Sequence, residues 1–165
     1  MPEIIVIAHN IRSTHNVGAI FRTAEGFGIK KIILSGYTPY PKIAGDTRLP
    51  HIAEKLHTQI HKTALGAEML VPFEYQEALN LTTLKSAGYT IAGLEQDPTS
   101  VALPDYTAPE KIALLLGEEV HGIPKELLRH CEDILEIPMI GEKESFNVSV
   151  AAGIALYQLS LRALL

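Results

Sequence analysis

The chain has 165 residues, 47% of them hydrophobic, and a formal net charge of −5. This suits one domain with a sizeable core and excludes intrinsic disorder, and no apolar run reaches the roughly 18 residues of a membrane-spanning helix. The single cysteine, Cys131, excludes an internal disulfide framework and points to the cytoplasm, while the acidic balance counts against a dedicated nucleic-acid binder and leaves room for a local basic patch.

Residues 4–7 are a nearly continuous β-branched run, the pattern of a strand buried on both faces of a parallel sheet. The N-terminus before it, Met1-Pro2-Glu3, does not read as a signal peptide. Residues 17–27 carry apolar side chains at Val17, Ile20, Phe21 and Ala24, a helical spacing closed by Gly26 and Gly28. A second strand is expected over 31–34, and a loop over the proline- and glycine-rich 36–50. A helix over 53–67, a short strand over 69–71 ended by Pro72, and a helix over 75–87 stopped by Gly88 follow. Strands are then expected over 89–94, 112–116 and 134–137, separated by a turn-rich 96–109 and a short helix over 124–130 with Pro124 in its first turn. Residues 147–165 read as a long apolar helix.

Strands alternating with helices predict an α/β fold, a mostly parallel sheet flanked by helices, in a single domain over 1–165. Ligands in such sheets bind beyond the carboxyl ends of the strands. The loops after Ile7, Leu34, Leu94, Leu116 and Ile137 are therefore the ones to watch.

Three segments carry chemistry. In the first, Asn16 is positioned to cap a helix, Gly18 permits close approach of a backbone or a ligand, and Arg22 follows six residues after Asn16. Arg22 reads either as a solvated surface arginine or, among Ile20, Phe21, Ala24 and Phe27, as an arginine that needs an anion such as phosphate. In the second, a strand runs into Gly117, then Glu118 and Glu119, then Gly122. That is either a tight turn with solvated glutamates or a ligand loop admitting a flat ring at Gly117. In the third, a strand end at Ile137 and Met139 leads through a polar loop to Ser145, Phe146 and Asn147. The last group either caps the final helix or helps wrap a small molecule. No metal site is expected: His57 and His61 share a helical face, but no third ligand has matching spacing.

Taken together, the segments resemble the three signature motifs of the SpoU (TrmH-like) family of SPOUT RNA methyltransferases. The matches are Asn16, Gly18 and Arg22; then Gly117, Glu119, Gly122, Ile123 and Pro124; then Ile137-Pro138-Met139, Gly141, Ser145-Phe146-Asn147-Val148-Ser149 and Ala151. They occur in order across almost the whole chain, with Phe146 where the family usually has leucine. The resemblance implies a C-terminal deep trefoil knot, a rare exception to general chain rules. It implies a bent S-adenosylmethionine held near Leu94, Gly117, Ile137, Met139 and Phe146, and a homodimer with a composite active site. It also implies methyl transfer to a ribose 2′-hydroxyl of tRNA or rRNA, without an accessory RNA-binding domain. Arg22 would be the central catalytic residue, with Asn16, Glu119, Ser145 and Asn147 orienting it, the ribose and the loops. Because guanidinium resists deprotonation, Arg22 fixes a phosphate or steadies the developing alkoxide more readily than it acts as a base.

Arg12, His15, Lys42, Arg48, Lys55 and Lys62 are either a basic rim for RNA phosphates or scattered solvated charges. Two rival readings share the fold: a base-methylating SPOUT enzyme, and a catalytically silent RNA-binding module. The pairing of Asn16 with Arg22 favours ribose modification.

Overall fold

The computed structural model describes residues 2–161. Seven strands form one sheet: β1 (Glu3–His9), β2 (Lys31–Ser35), β3 (Phe73–Gln76), β4 (Thr90–Leu94), β5 (Val101–Ala102), β6 (Lys111–Leu116) and β7 (Asp133–Glu136). Their spatial order is β3-β2-β1-β6-β4-β7-β5, and every pairing between them is parallel. Five helices flank it: α1 (Thr14–Gly26), α2 (Pro50–Ala64), α3 (Leu81–Ser86), α4 (Lys125–Leu128) and α5 (Val148–Leu161).

A strand alternates its side chains between faces, so central strands covered on both sides are apolar throughout. On β1, Ile4, Val6 and Ala8 join the core beneath α1, α2 and α5, while Ile5 and Ile7 join the core beneath α3 and α4. On β6, Ile112, Leu114 and Leu116 take the first face and Ala113 and Leu115 the second. Helix α1 packs tightly on α2 because Gly18 has no side chain: a Cβ there would lie 2.1 Å from Thr63 Oγ1 and 2.3 Å from the Ile60 carbonyl. The close approach expected at Gly18 is therefore to another helix.

Several boundaries differ from those expected, each for a local reason. The third strand begins after Pro72, because proline has no N–H for the ladder and only its carbonyl pairs, with Ile32 N–H. Residues 67–69 form a short 3-10 turn after the left-handed Leu65 and Gly66, and α2 begins at Pro50 and ends at Ala64. With Tyr75 and Gln76 drawn into β3, helix α3 starts only at Leu81, capped by Asn80. The turn-rich 96–109 contains β5, two residues long. The last helix runs over Val148–Leu161, and residues 162–165 of the expected 147–165 lie outside the described residues.

Candidate active site

The carboxyl ends of β4, β6 and β7 surround a cavity of about 700 Å³. Its floor is apolar, from Leu94, Leu116, Leu128, Ile134 and Ile137, and its far wall is the loop carrying Met139, Ser145 and Phe146. Its lining carries five carboxylates, Glu95, Asp97, Glu118, Glu119 and Glu136, against two cationic side chains, Lys125 and Arg129. A cavity so charged complements a cationic ligand and opposes a polyphosphate.

The β6–α4 loop folds onto itself. Glu118 and Gly122 exchange both backbone hydrogen bonds, and Gly122 has φ +68. A Cβ on Gly117 would fall 2.3 Å from the Gly122 carbonyl carbon, so only glycine permits this doubling back. The Glu95 carboxylate fastens the turn by accepting Ile123 N–H and Gln96 N–H, both at 2.9 Å. The Gln96 side-chain amide donates to the Glu144 carbonyl, tying the end of β4 to the loop before α5.

Three segments far apart in sequence meet at Asn16. Its Nδ2 donates to Glu119 Oε1 at 3.1 Å, and its Oδ1 accepts from Asn147 Nδ2 at 3.3 Å. Asn147 Oδ1 in turn accepts Ser149 N–H and the Ser149 hydroxyl. Each amide orientation is dictated, because a carboxylate only accepts and a backbone N–H only donates. Glu119 also accepts Arg12 N–H and Ser13 N–H at the start of α1. Partial burial pushes its carboxyl up, but these donors together outweigh that and hold it below the usual carboxylate range.

Asn16 does not cap α1. Ser13, in extended conformation, accepts Asn16 N–H with its hydroxyl, and Asn16 sits inside the first turn. That frees its side chain to bridge the other two segments. Beside it, Arg12 Nη2 lies 2.9 Å from Glu118 Oε1, an ion pair off the hydrogen-bonding direction, while Glu118 Oε2 is 2.6 Å from His121 Nδ1.

All five residues expected at the cofactor, Leu94, Gly117, Ile137, Met139 and Phe146, line the cavity, as do Glu119 and Ser145. Arg22 does not. It is exposed on the outer face of α1, about 9 Å along the axis and about 120° around from Asn16. Its apolar sequence neighbours Ile20, Phe21 and Ala24 are buried beneath the helix, so of the two readings of Arg22 the solvated surface arginine holds within this chain. Among the described residues Arg22 has no ion partner.

The basic residues divide into two sets. Arg12, Lys42 and Arg48 are matched by Glu118, Glu54 and Asp46, and Arg48 also donates to the carbonyls of Tyr40 and Pro41. His15, Lys55 and Lys62 are exposed without an ion partner among the described residues. His57 and His61 are engaged with Lys42 N–H and Glu68, and no group of three metal-ligating side chains occurs among the described residues.

The model of the SpoU rRNA methylase family matches residues 3–157. The chain belongs to that family. It is 33% identical over 160 residues to an uncharacterised tRNA/rRNA methyltransferase of Synechocystis, covering 94% of this chain and 37% of the relative. It is 33% identical over 157 residues to the 23S rRNA (guanosine-2′-O-)-methyltransferase RlmB of Neisseria meningitidis, covering 94% of this chain and 57% of the relative. The chain thus spans about half or less of the length of these curated relatives. Among solved structures, the AdoMet-bound rRNA methyltransferase from Sinorhizobium meliloti superposes with a TM-score of 0.80 at 25% identity, covering 99% of this chain and 57% of that one.

Within this SpoU domain, sequence reasoning missed Glu95 and Gln96, and named Glu118 only as part of the loop after β6. Their signal was available: polar residues directly after strand ends, in the loops that parallel sheets use for ligands.

Proposed function

We propose that this chain is an S-adenosylmethionine-dependent RNA methyltransferase acting on a ribose 2′-hydroxyl of tRNA or rRNA. The observation that carries the reading is the acidic cavity of about 700 Å³ at the carboxyl ends of β4, β6 and β7, walled by the second and third family motifs. Its size is that of a small-molecule site. Apolar side chains and strand-end backbone suit adenosine, and the excess of carboxylates suits a ligand bearing a sulfonium and an ammonium. A nucleotide polyphosphate would be repelled, which argues against an unrelated nucleotide-binding domain. The bound S-adenosylmethionine of the Sinorhizobium meliloti structure supports the same ligand here.

When bound, S-adenosylmethionine supplies a methyl group on a sulfonium, electrophilic enough to need no metal. Leu94, Gly117, Ile137, Met139 and Phe146 hold it and exclude water. Asn16, Glu119, Ser145 and Asn147 brace the loops and orient the acceptor ribose; alignment is their contribution to rate. Arg22 holds a substrate phosphate and steadies the charge that develops on the 2′-oxygen. It remains protonated throughout.

Arg22 does not line the cavity of its own chain, so the reading includes a homodimer in which it serves the partner's. Val150, Ile154 and Tyr157 support this: they leave an apolar stripe exposed along α5 at helical spacing. The reading also includes a C-terminal knot. What supports it is the path of the chain: β6 lies between β1 and β4, β7 beyond β4, and α5 returns to pack on α1. The half-buried Cys131, its thiol pushed up to about 11 by burial, suits a reducing cytoplasm. No helix among the described residues is long and apolar enough to cross a membrane.

Calorimetric titration with S-adenosylmethionine tests the cavity. Saturable binding at one site per chain is the expected result. No binding at millimolar ligand by folded protein overturns the reading.

A further inference from the structure

A second cavity, of about 490 Å³, opens beside the first, at the carboxyl ends of β1 and β2. It is lined by Arg12 and Ser13 at the start of α1 and by Tyr37, Tyr40, Arg48 and Tyr75. One ion pair divides the two cavities: Arg12 lines the second, and its partner Glu118 lines the first.

Most of this aromatic wall is committed to itself. Tyr40 is stacked on Tyr75 with ring centres 4.1 Å apart, and the Arg48 guanidinium lies 3.6 Å from the Tyr40 centroid. The Tyr75 hydroxyl donates to the Gly36 carbonyl. Tyr37 is different. It is 53% exposed, and the Arg12 guanidinium lies over it, 5.8 Å from the ring centroid.

Its backbone is nonetheless firmly held. Tyr37 N–H donates to Asn10 Oδ1 at 3.1 Å. Asn10 adopts the left-handed conformation, φ +57, to bring that oxygen under the turn, and Gly36 follows at φ +65. A Cβ on Gly36 would fall 1.9 Å from the same oxygen. On the other side, the Thr38 hydroxyl donates to the carbonyls of Ala8 and Ser35 and accepts Ile11 N–H. Two strand ends therefore fix a loop that presents a half-exposed aromatic ring in the second cavity, beside the first.

We infer that the Tyr37 ring is a stacking platform for one base of a single-stranded RNA segment, seated in the second cavity beside the methyl-donor cavity. The inference rests on the RNA methyltransferase reading and adds to it a base-binding position. Charge at this place does not favour phosphate: Arg12 and Arg48 are matched by Glu118 and Asp46. Ring against ring is the attraction left. Every base has a π-face, so such a platform holds RNA without choosing its sequence, and a pre-fixed ring loses little freedom on binding. The Arg12 guanidinium, 5.8 Å from the ring centroid, adds a planar cation beside the stacked base.

The test uses a fluorescein-labelled single-stranded RNA of mixed sequence, read by anisotropy, with S-adenosylmethionine calorimetry on the same preparations. Tyr37→Ala weakens RNA binding about tenfold, the effect of losing one stacked base. Tyr37→Phe restores it, and neither change alters S-adenosylmethionine affinity. The chain has no tryptophan, so Tyr37→Trp introduces a unique reporter whose fluorescence is quenched as RNA saturates the protein. Undiminished RNA binding by Tyr37→Ala, or unmoved tryptophan emission while anisotropy saturates, overturns the platform alone. An unsubstituted chain that binds neither RNA nor S-adenosylmethionine sinks the methyltransferase reading, and the platform with it.

Discussion

Asn16 Nδ2 donates to Glu119 Oε1 across 103 residues of chain, joining the first turn of α1 to the glycine-bounded loop after β6. The same carboxylate accepts two backbone N–H groups at the start of α1. One side chain thereby sets the distance between the start of α1 and the cavity-lining loop after β6. In Glu119→Gln, an amide N–H replaces an acceptor and faces those donors. Stability should fall by about 2 kcal/mol, measured by urea unfolding. S-adenosylmethionine affinity should change less than turnover, because the methyl-donor cavity keeps its floor. An unchanged midpoint and unchanged turnover would contradict the bracing role.

The same network predicts how stability follows pH. Glu119 is held below the usual carboxylate range despite burial, and Arg48 holds Asp46 below it too. Both groups have lower pKa values folded than unfolded. Their stabilisation is therefore complete above the unfolded carboxylate value of about 4 and is lost as pH falls through the lower folded values. The urea midpoint should fall gently as pH drops below about 6.5, where burial of His9 holds its imidazole neutral in the fold, and more steeply below about pH 4. A midpoint that rises on acidification would contradict this.

Arg22 is exposed and has no ion partner among the described residues, so its removal should cost the fold almost nothing. Arg22→Ala should unfold within about 0.5 kcal/mol of the unsubstituted protein. It should keep S-adenosylmethionine affinity and lose about a hundredfold or more in turnover. Normal turnover by this variant would remove Arg22 from the mechanism.

The strands were the most legible part of this chain. Runs such as residues 4–7 and 112–116 are β-branched or leucine-rich and buried on both faces, so their sequence resembles little else. What escaped was set by partners distant in sequence. Val101–Ala102 is a strand only because β7 lies beside it. Ser13 and Asn16 are both good caps, and the choice of Ser13 follows from Asn16 being taken up by Glu119 and Asn147. The choice between the two readings of Arg22 has the same origin: its apolar neighbours in sequence lie on a different side of the helix. Leu94, Gly117, Ile137, Met139 and Phe146, which line the cavity, were named from the family resemblance. Glu95, which fastens the wall, lies outside every motif and was not.

A composite site requires two chains. Ile154 lies at the middle of the exposed stripe on α5, between Val150 and Tyr157. Ile154→Asp should convert a dimer to a folded monomer in analytical ultracentrifugation and abolish turnover, with S-adenosylmethionine binding largely kept. A monomeric but fully active unsubstituted protein would contradict the shared site.

Salt dependence tests the charge account of RNA binding. Arg22, Lys55 and Lys62 are the unmatched permanent cations on α1 and α2, with Lys55 and Lys62 two turns apart on one face. Neutralising three phosphates of a single strand gives a slope of about −2 in log affinity against log salt. A much steeper slope would mean that the paired cations Arg12, Lys42 and Arg48 release their carboxylates for RNA.

The most direct test of the central claim is to incubate the protein with methyl-labelled S-adenosylmethionine and tRNA or rRNA, then hydrolyse the RNA in alkali. A methylated ribose cannot cleave its own neighbouring phosphodiester, so label in alkali-resistant dinucleotides is the result this account predicts. Label in mononucleotides would mean a base-methylating enzyme. No label on any RNA, from protein that binds S-adenosylmethionine, would contradict the enzymatic reading and leave an RNA-binding module.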